Sequence, residues 1–276
     1  METPEAFESK RHKMFPPDDF DPSKPRLGRR ESEPHSDEIN YIYDVITANF
    51  PGDRAMWDLH HYFTIDNVEV DIVFDVSYFK DMQLPTRLSS YRAKEFNNRI
   101  PTMVINVLSK STWRADIGEH VDYCRKLKIP IYIVYPSHHI ANKYYRPPFL
   151  RAYIIQANGE YYIEELHETT IDGENIKPNA IIDVSKYVPF RLGLQKRLIT
   201  HESNEELYRL IFLDPKKFEV FQTKEQKQEQ RAKDAEQRAK DAEQRAEDAE
   251  QRAEDAEKKA LELENELESL KERIKK

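Results

Sequence analysis

Residues Val68–Val76 read as a strand with apolar side chains at Val68, Val70, Ile72, Val73, Phe74 and Val76, and Asp71 interrupts them. A carboxylate carried into an apolar setting is costly unless something pairs with it. Asp71 therefore has two readings, a metal or phosphate role and a structural hydrogen bond. The two-residue repeat of a strand puts Asp75 on the same face. A second group lies in Ile100–Pro136, IPTMVINVLSKSTWRADIGEHVDYCRKLKIPIYIVYP. There Asn106 interrupts a buried apolar run, Ser109, Ser111 and Thr112 follow the run, and Asp116, Glu119 and His120 lie beyond. Asn106 is either a satisfied buried amide or a cation ligand. His120 is either a core histidine on the face of Ile117 and Cys124 or a site residue. The three hydroxyls read most simply as caps for the next helix, and Tyr123 as packing. His60-His61 and His138-His139 are adjacent pairs, whose side chains diverge on a strand, which argues against a shared metal ion.

The elements that must position these residues follow from periodicity. Ile39, Ile42, Tyr43, Ile46 and Phe50 fall on one helical face, with Ser36 or Asp37 as N-cap and Pro51-Gly52-Asp53 as the stop. His60–Ile65 and Val68–Val76 read as paired strands around an Asp66-Asn67 turn. Residues 77–99 read as irregular. Thr102–Leu108 and Ile131–Tyr135 are short apolar runs, as in strands buried on both faces. Between them a helix is expected from about Trp113 to Lys128, with Trp113, Ile117, His120, Val121, Cys124 and Leu127 on one face. That order implies a crossover and a parallel pair. Arg151–Gln156 and Tyr161–Glu165 form a hairpin around Asn158-Gly159. Ala180–Val184 and Leu207–Leu213 are short runs readable as strand or helix. The fold class is α/β (α+β), a mixed sheet flanked by helices.

Residues 230–257 repeat a seven-residue unit, QRAKDAE twice and QRAEDAE twice. Alanine fills both seam positions, and the same spacing continues through Ala260, Leu263, Leu267, Leu270 and Ile274. An unbroken heptad of strong helix formers without Gly or Pro predicts one long helix. Alanine layers bury little area, so a lone charged rod competes with self-association. Small seam residues allow close approach, and the terminal Leu and Ile add a stronger clasp, which favours a homo-oligomeric coiled coil. The chain divides into a disordered tail at 1–35, a domain at 36–222 and a coiled coil at 223–276.

The central block resembles the Uma-type restriction endonuclease family (the second of that name), a branch of the PD-(D/E)XK nuclease superfamily. The resemblance rests on Asn106-Val107-Leu108-Ser109-Lys110-Ser111-Thr112, then Asp116-Ile117-Gly118-Glu119-His120, Tyr123 and Ile129-Pro130-Ile131-Tyr132-Ile133. Val70-Asp71 matches the family's upstream Pro-Asp, and Pro148–Tyr153 with Asn158–Tyr162 matches its final hairpin. It covers residues 36–222 and implies a restriction-endonuclease-like sheet and Mg²⁺-dependent cleavage of DNA. In such a site two carboxylates hold Mg²⁺, the metal activates water, and a lysine steadies the developing charge. By resemblance Asp71 and Asn106 are the metal positions, Asp71, Asn106 and His120 the catalytic ones, and Asp75, Ser109, Ser111 and Glu119 their neighbours. Two of three matched positions depart from the pattern, since Asn106 replaces the second carboxylate and His120 the lysine. The resemblance therefore implies a weak or inactive nuclease, with a non-catalytic binding and assembly module as the alternative.

The 276 residues are 38% hydrophobic and 34% charged, with the polar excess in 1–35 and 224–276. A formal net charge of −8 does not suit a general nucleic-acid binder, although the resemblance makes DNA the expected partner. Basic patches at Lys10–Lys13 and Arg26–Arg30 sit in the N-terminal tail. One cysteine, Cys124, excludes an intrachain disulfide and fits a reduced cytoplasmic setting. No apolar run is long enough for a membrane span, and METPEAFESKRHK has no apolar signal region.

Overall fold

The computed structural model describes residues 33–84, 88–110, 112–138, 144–173, 175–197 and 206–274. In chain order the elements are α1 (Glu33–Asn49), β1 (Arg54–Ile65), β2 (Val68–Phe79), β3 (Tyr91–Arg92), β4 (Met103–Val107), α2 (Trp113–Asp116) and α3 (Glu119–Leu127). They continue as β5 (Ile131–Tyr135), β6 (Leu150–Ile155), β7 (Tyr161–Leu166), β8 (Ile171–Asp172), β9 (Asn175–Ile176), β10 (Arg191–Arg197), β11 (Leu207–Leu213) and α4 (Lys224–Ile274). Seven strands form one mixed sheet in the order β3-β1-β2-β4-β5-β6-β7. β4 and β5 are parallel, as the strand–helix–strand pattern requires, and β3 is parallel to β1. The fold is thus the mixed α+β class expected, with a long C-terminal helix.

Both faces of the sheet are covered. On one side α1 and the β10–β11 ribbon pack Ile42, Val45, Ile46, Phe190, Leu192 and Phe212 against Ile105, Val107, Ile131 and Ile133. On the other, α2 and α3 cover Val104, Leu108, Tyr132 and Val134 with Cys124, Ile117, Val121 and Leu127. Alternation along β4 and β5 therefore sends Asn106 to the α2–α3 side, next to Val104 and Tyr132.

α1 begins at Glu33, earlier than the N-cap expected at Ser36 or Asp37. Its second turn is held by tertiary bonds. Glu38 is fully buried and accepts hydrogen bonds from Arg197 Nη1 (3.0 Å), Arg209 Nε (3.2 Å) and Tyr135 Oη (3.2 Å). A buried carboxylate needs such partners. Residues 77–99 are more regular than their composition suggests, because β2 runs on to Phe79 and a 3₁₀ turn at Ala93–Phe96 follows β3. Ala180–Val184 is not an element; a 3₁₀ turn ends at Ala180 and Ile182 makes one isolated bridge to Leu192. The disordered tail expected at 1–35, with its basic patches, falls outside the described residues up to 32.

Strand parity fails in one place, and that place forms the site. Ile72 and Phe74 pack on the α3 side, whereas Val76 and Tyr78 pack on the α1 side, although all four are even-numbered. β2 crosses from one face to the other at Asp75. Opposite it in β1, between the pairs Trp57↔Val76 and Leu59↔Phe74, lies Asp58 with φ of 46°. Ala55 and Phe63 pack on different sides across that point.

α4 starts with a capping box. Gln226 N–H donates to Thr223 Oγ1 (3.1 Å), and Thr223 N–H donates to Gln226 Oε1 (2.9 Å). Lys224 N–H to Asp44 Oδ2 (2.9 Å) and Lys227 Nζ to Ala48 O (3.0 Å) tie that first turn to α1. Beyond them the described side chains of the helix are exposed, including Leu261, Leu263 and Leu267. Among the described residues no helix is long and apolar enough to cross a membrane.

His61 supplies a test of this packing. It is fully buried, donates from Nδ1 to Leu59 O (2.7 Å) and accepts at Nε2 from Ser77 Oγ (2.8 Å). Burial outweighs its hydrogen bonds and lowers its pKa from 6.5 to about 4. A base with a depressed folded pKa contributes stability above its unfolded value and loses it on acidification. Wild type should therefore lose on the order of 3 kcal/mol as pH falls from 6.5 to about 4. The check is urea unfolding of wild type and His61→Phe across that window. Parallel curves would contradict the assignment.

Candidate functional site

β2 pairs with β4 through only Val76↔Ile105, Ser77↔Val104 and Tyr78↔Met103. Beyond these the strands part, and side chains take over the ladder. Asp75 N–H donates to Asn106 Oδ1 (3.2 Å), and Val107 N–H donates to Asp75 Oδ2 (2.6 Å). His35 of α1 reaches the same point. Its Nε2 lies 2.8 Å from Val107 O and 3.4 Å from Asp75 Oδ2. The carbonyl can only accept, so Nε2 carries the proton.

The far end of the Asn106 amide faces the helices. Nδ2 is 2.7 Å from Asp116 Oδ1, 3.2 Å from Tyr132 Oη and 3.1 Å from His120 Nδ1. Tyr132 Oη donates to Asp116 O (2.7 Å), and His120 Nδ1 is 3.2 Å from Asp116 Oδ1. An amide nitrogen can only donate, so its two hydrogens are shared among Asp116 Oδ1, His120 Nδ1 and Tyr132 Oη. Asp116 Oδ2 is buried and has no hydrogen-bond partner among the described residues.

Asp116 closes the first of two short helices where a single continuous helix was expected. Ile117 and Gly118 separate α2 from α3, and Gly118 has φ −121° and ψ −90°. A Cβ at Gly118 would sit 3.0 Å from Arg114 O, so a larger residue there would press on the end of α2. Asp116 points inward and is 3% exposed. Thr112 occupies the N-cap of α2 without a side-chain cap bond. Its own N–H donates to Ser109 Oγ (3.2 Å), and the two hydroxyls are 2.8 Å apart.

The structure brings together Asp75, Asn106 and His120, and adds His35, Asp116 and Tyr132. It does not bring in Asp71. That residue is solvent-exposed on the β1–β2 hairpin, where both its oxygens contact His60 Nδ1 (2.9 and 3.0 Å). Asp71 and Asp75 were expected on one face by parity, but the face change at Asp75 removes that relation. Asp71 is thereby corrected from a central ligand to a surface residue. Glu119 is also outside the cluster and accepts from Tyr123 Oη (2.7 Å) on the helix surface. Ser111 lies outside the described residues, as does His139; His138 Nδ1 is 3.1 Å from Ser137 Oγ. His35 escaped notice because it lies in a segment read as tail, and Tyr132 because it sits in an unbroken apolar strand. Asp116 carried a signal, the Asp-x-Gly-Glu spacing and its place four residues before His120.

The donor set does not suit Mg²⁺, which requires oxygen ligands. Asn106 presents its nitrogen to the cluster, and its oxygen is engaged by a backbone N–H. Flipping the amide would set Oδ1 against the Asp116 carboxylate and Nδ2 against the Asp75 N–H, so the network fixes the orientation. Asp75 and Asp116 are held at opposite ends of that amide. Among the described residues no three His, Cys, Asp or Glu side chains are grouped to hold a metal ion.

Two substitutions test the network. Asn106→Ala removes the donor to Asp116 and the acceptor for Asp75 N–H, and should cost roughly 2 kcal/mol in urea unfolding. No loss would contradict the closed network. Burial, with help from the Asp116 carboxylate, raises the Asp75 pKa above 3.8 despite His35 and Val107 N–H. A raised acid favours the fold most below its unfolded value, and that contribution is lost as pH rises through the folded pKa. The stability difference between Asp75→Asn and wild type should therefore move in favour of the variant as pH rises from 3.8. A difference independent of pH would contradict the burial.

Comparison with known proteins adds two findings. Residues 217–274 match the alanine-zipper family, described as major outer membrane lipoprotein. The chain is similar to a crystal structure from Anabaena variabilis described as a candidate nuclease belonging to DUF820. The two are 17% identical, the match covers 52% of this chain and 72% of that one, and the TM-score is 0.37. No curated protein matches the chain.

Proposed function

We propose that the head is a nuclease-like domain that does not cut phosphodiesters, and that the protein is a binding and assembly module whose copies are joined by α4. One observation carries this reading: the Asn106 amide turns its nitrogen, not an oxygen, toward Asp116. A cleavage site of the kind the resemblance implies needs two carboxylates converging on a hydrated cation. Here an amide donor stands between Asp75 and Asp116 and bonds to both ends of the seam. The lysine position holds His120, whose Nδ1 meets the same amide nitrogen at 3.1 Å and lies 3.2 Å from Asp116 Oδ1. Mg²⁺ has no role in this reading, and DNA is a ligand to be tested. The zipper match of the tail is consistent with self-association. A cytoplasmic setting belongs to the same proposal, since Cys124 is buried and burial raises its pKa, which leaves it inert.

A second reading, a working endonuclease, draws on the two carboxylates in one seam. Incubation of supercoiled plasmid with full-length protein, with Mg²⁺ and with Mn²⁺, separates the two. Wild type and Asp75→Asn should leave the plasmid equally intact. Nicking by wild type that disappears in Asp75→Asn would establish the endonuclease.

A further inference from the structure

With Ala232 as heptad position a and Ala235 as d, the flanking positions of α4 carry constant charge. Position g holds Arg231, Arg238, Arg245, Arg252 and Lys259, and position e holds Glu236, Glu243, Glu250, Glu257 and Glu264. One heptad later both signs invert together, with Glu266 at g and Lys271 at e. In parallel, in-register helices each g residue faces the e residue five positions on in the neighbouring copy. All six such pairs, from Arg231–Glu236 to Glu266–Lys271, are then of opposite sign. In an antiparallel arrangement g faces g and e faces e, so the central heptads would set Arg against Arg and Glu against Glu.

Within one chain, most of the side-chain contacts along the helix leave these borders free, although Glu236 at position e also reaches Lys240 of its own helix at 2.7 Å. Gln230, Gln237, Gln244 and Gln251 donate to Asp234, Asp241, Asp248 and Asp255 at 2.8, 2.8, 3.2 and 3.2 Å. These pairs occupy positions f and c, on the face away from the seam, and stiffen the helix without using e or g. Within one helix Glu250 has Glu247 three residues before it and Glu254 four residues after. Like charges at those spacings are unfavourable, and Arg245 of a second copy would relieve them.

We infer that α4 docks on α4 of a second copy of this chain, parallel and in register, through the alanine seam and its Arg–Glu borders. The inference rests on the proposed self-association and adds its geometry. Because the first turn of α4 is bonded to α1, parallel helices place both heads at the same end, side by side. The assembly then presents paired heads to one target, where an antiparallel one would hold them a helix length apart.

The test uses two full-length single-cysteine additions, Ala235→Cys and Leu263→Cys, with buried Cys124 retained. Equal amounts are mixed, allowed to exchange and equilibrated in a glutathione redox buffer. Parallel, in-register helices juxtapose each cysteine with its own copy. Self-linked products should exceed the mixed product by about tenfold or more, a difference of about 1.4 kcal/mol. A predominant mixed product would show antiparallel helices and overturn the inference while leaving self-association intact. Light scattering of wild type tells the other failure apart, since a single-chain mass would remove self-association itself. As an independent check, Arg245→Glu should lower the linked yield of Ala235→Cys, and adding Glu250→Arg should restore it. Failure to restore it counts against the parallel pairing.

Discussion

Where β2 parts from β4, backbone and side-chain groups on both strands lose their ladder partners, and the Asn106 amide supplies replacements at each end. Its oxygen takes the Asp75 N–H and its nitrogen takes the Asp116 carboxylate. A buried polar group without a partner is costly, so the position of each neighbour follows from this one side chain. Asp116 can turn inward because Asn106, Tyr132 and His120 meet it there. On the other side Asp75 is fixed by Val107 N–H and His35, which draws in the first turn of α1.

That arrangement places two carboxylates in one seam without leaving an amide oxygen to join them. The carboxylates are present and enclosed, but the group between them is a hydrogen-bond donor bonded within the protein. Such a network, with Asp116 Oδ2 its one buried oxygen lacking a partner among the described residues, rigidifies the place where the sheet splits. The head thus keeps a defined shape around a feature that would otherwise open to water. The tail follows a different logic, with weak seam layers and strong charge patterning, so its specificity comes from its borders more than from its core.

Periodicity made most of the frame legible. The β1–β2 hairpin, the parallel β4–β5 pair, the β6–β7 hairpin and the unbroken heptad of α4 all follow from local patterns of apolar and turn residues. Asn106 and His120 were legible as a pair only through the family resemblance, since by their own setting each also reads as a core residue. Asp71 misled because strand parity holds only while a strand keeps its twist. The face change at Asp75 is set by long-range packing of β2 between two cores, and nothing in residues 68–79 announces it. Glu33, Pro34 and His35 look like tail by composition, and the bond of His35 to Val107 O ties that turn to β4.

The orientation of one amide is the most direct point of test. In full-length protein labelled with ¹⁵N, the side-chain NH₂ signals of Asn106, assigned by their loss in Asn106→Ala, can be followed during titration with Mn²⁺. A nitrogen bonded to Asp116 and Tyr132, in a seam that holds no cation, predicts two sharp, separately shifted hydrogens that stay sharp as Mn²⁺ is added. Selective broadening of those signals at low Mn²⁺, ahead of the surface amides, would show that a cation enters the seam and that the closed network is wrong.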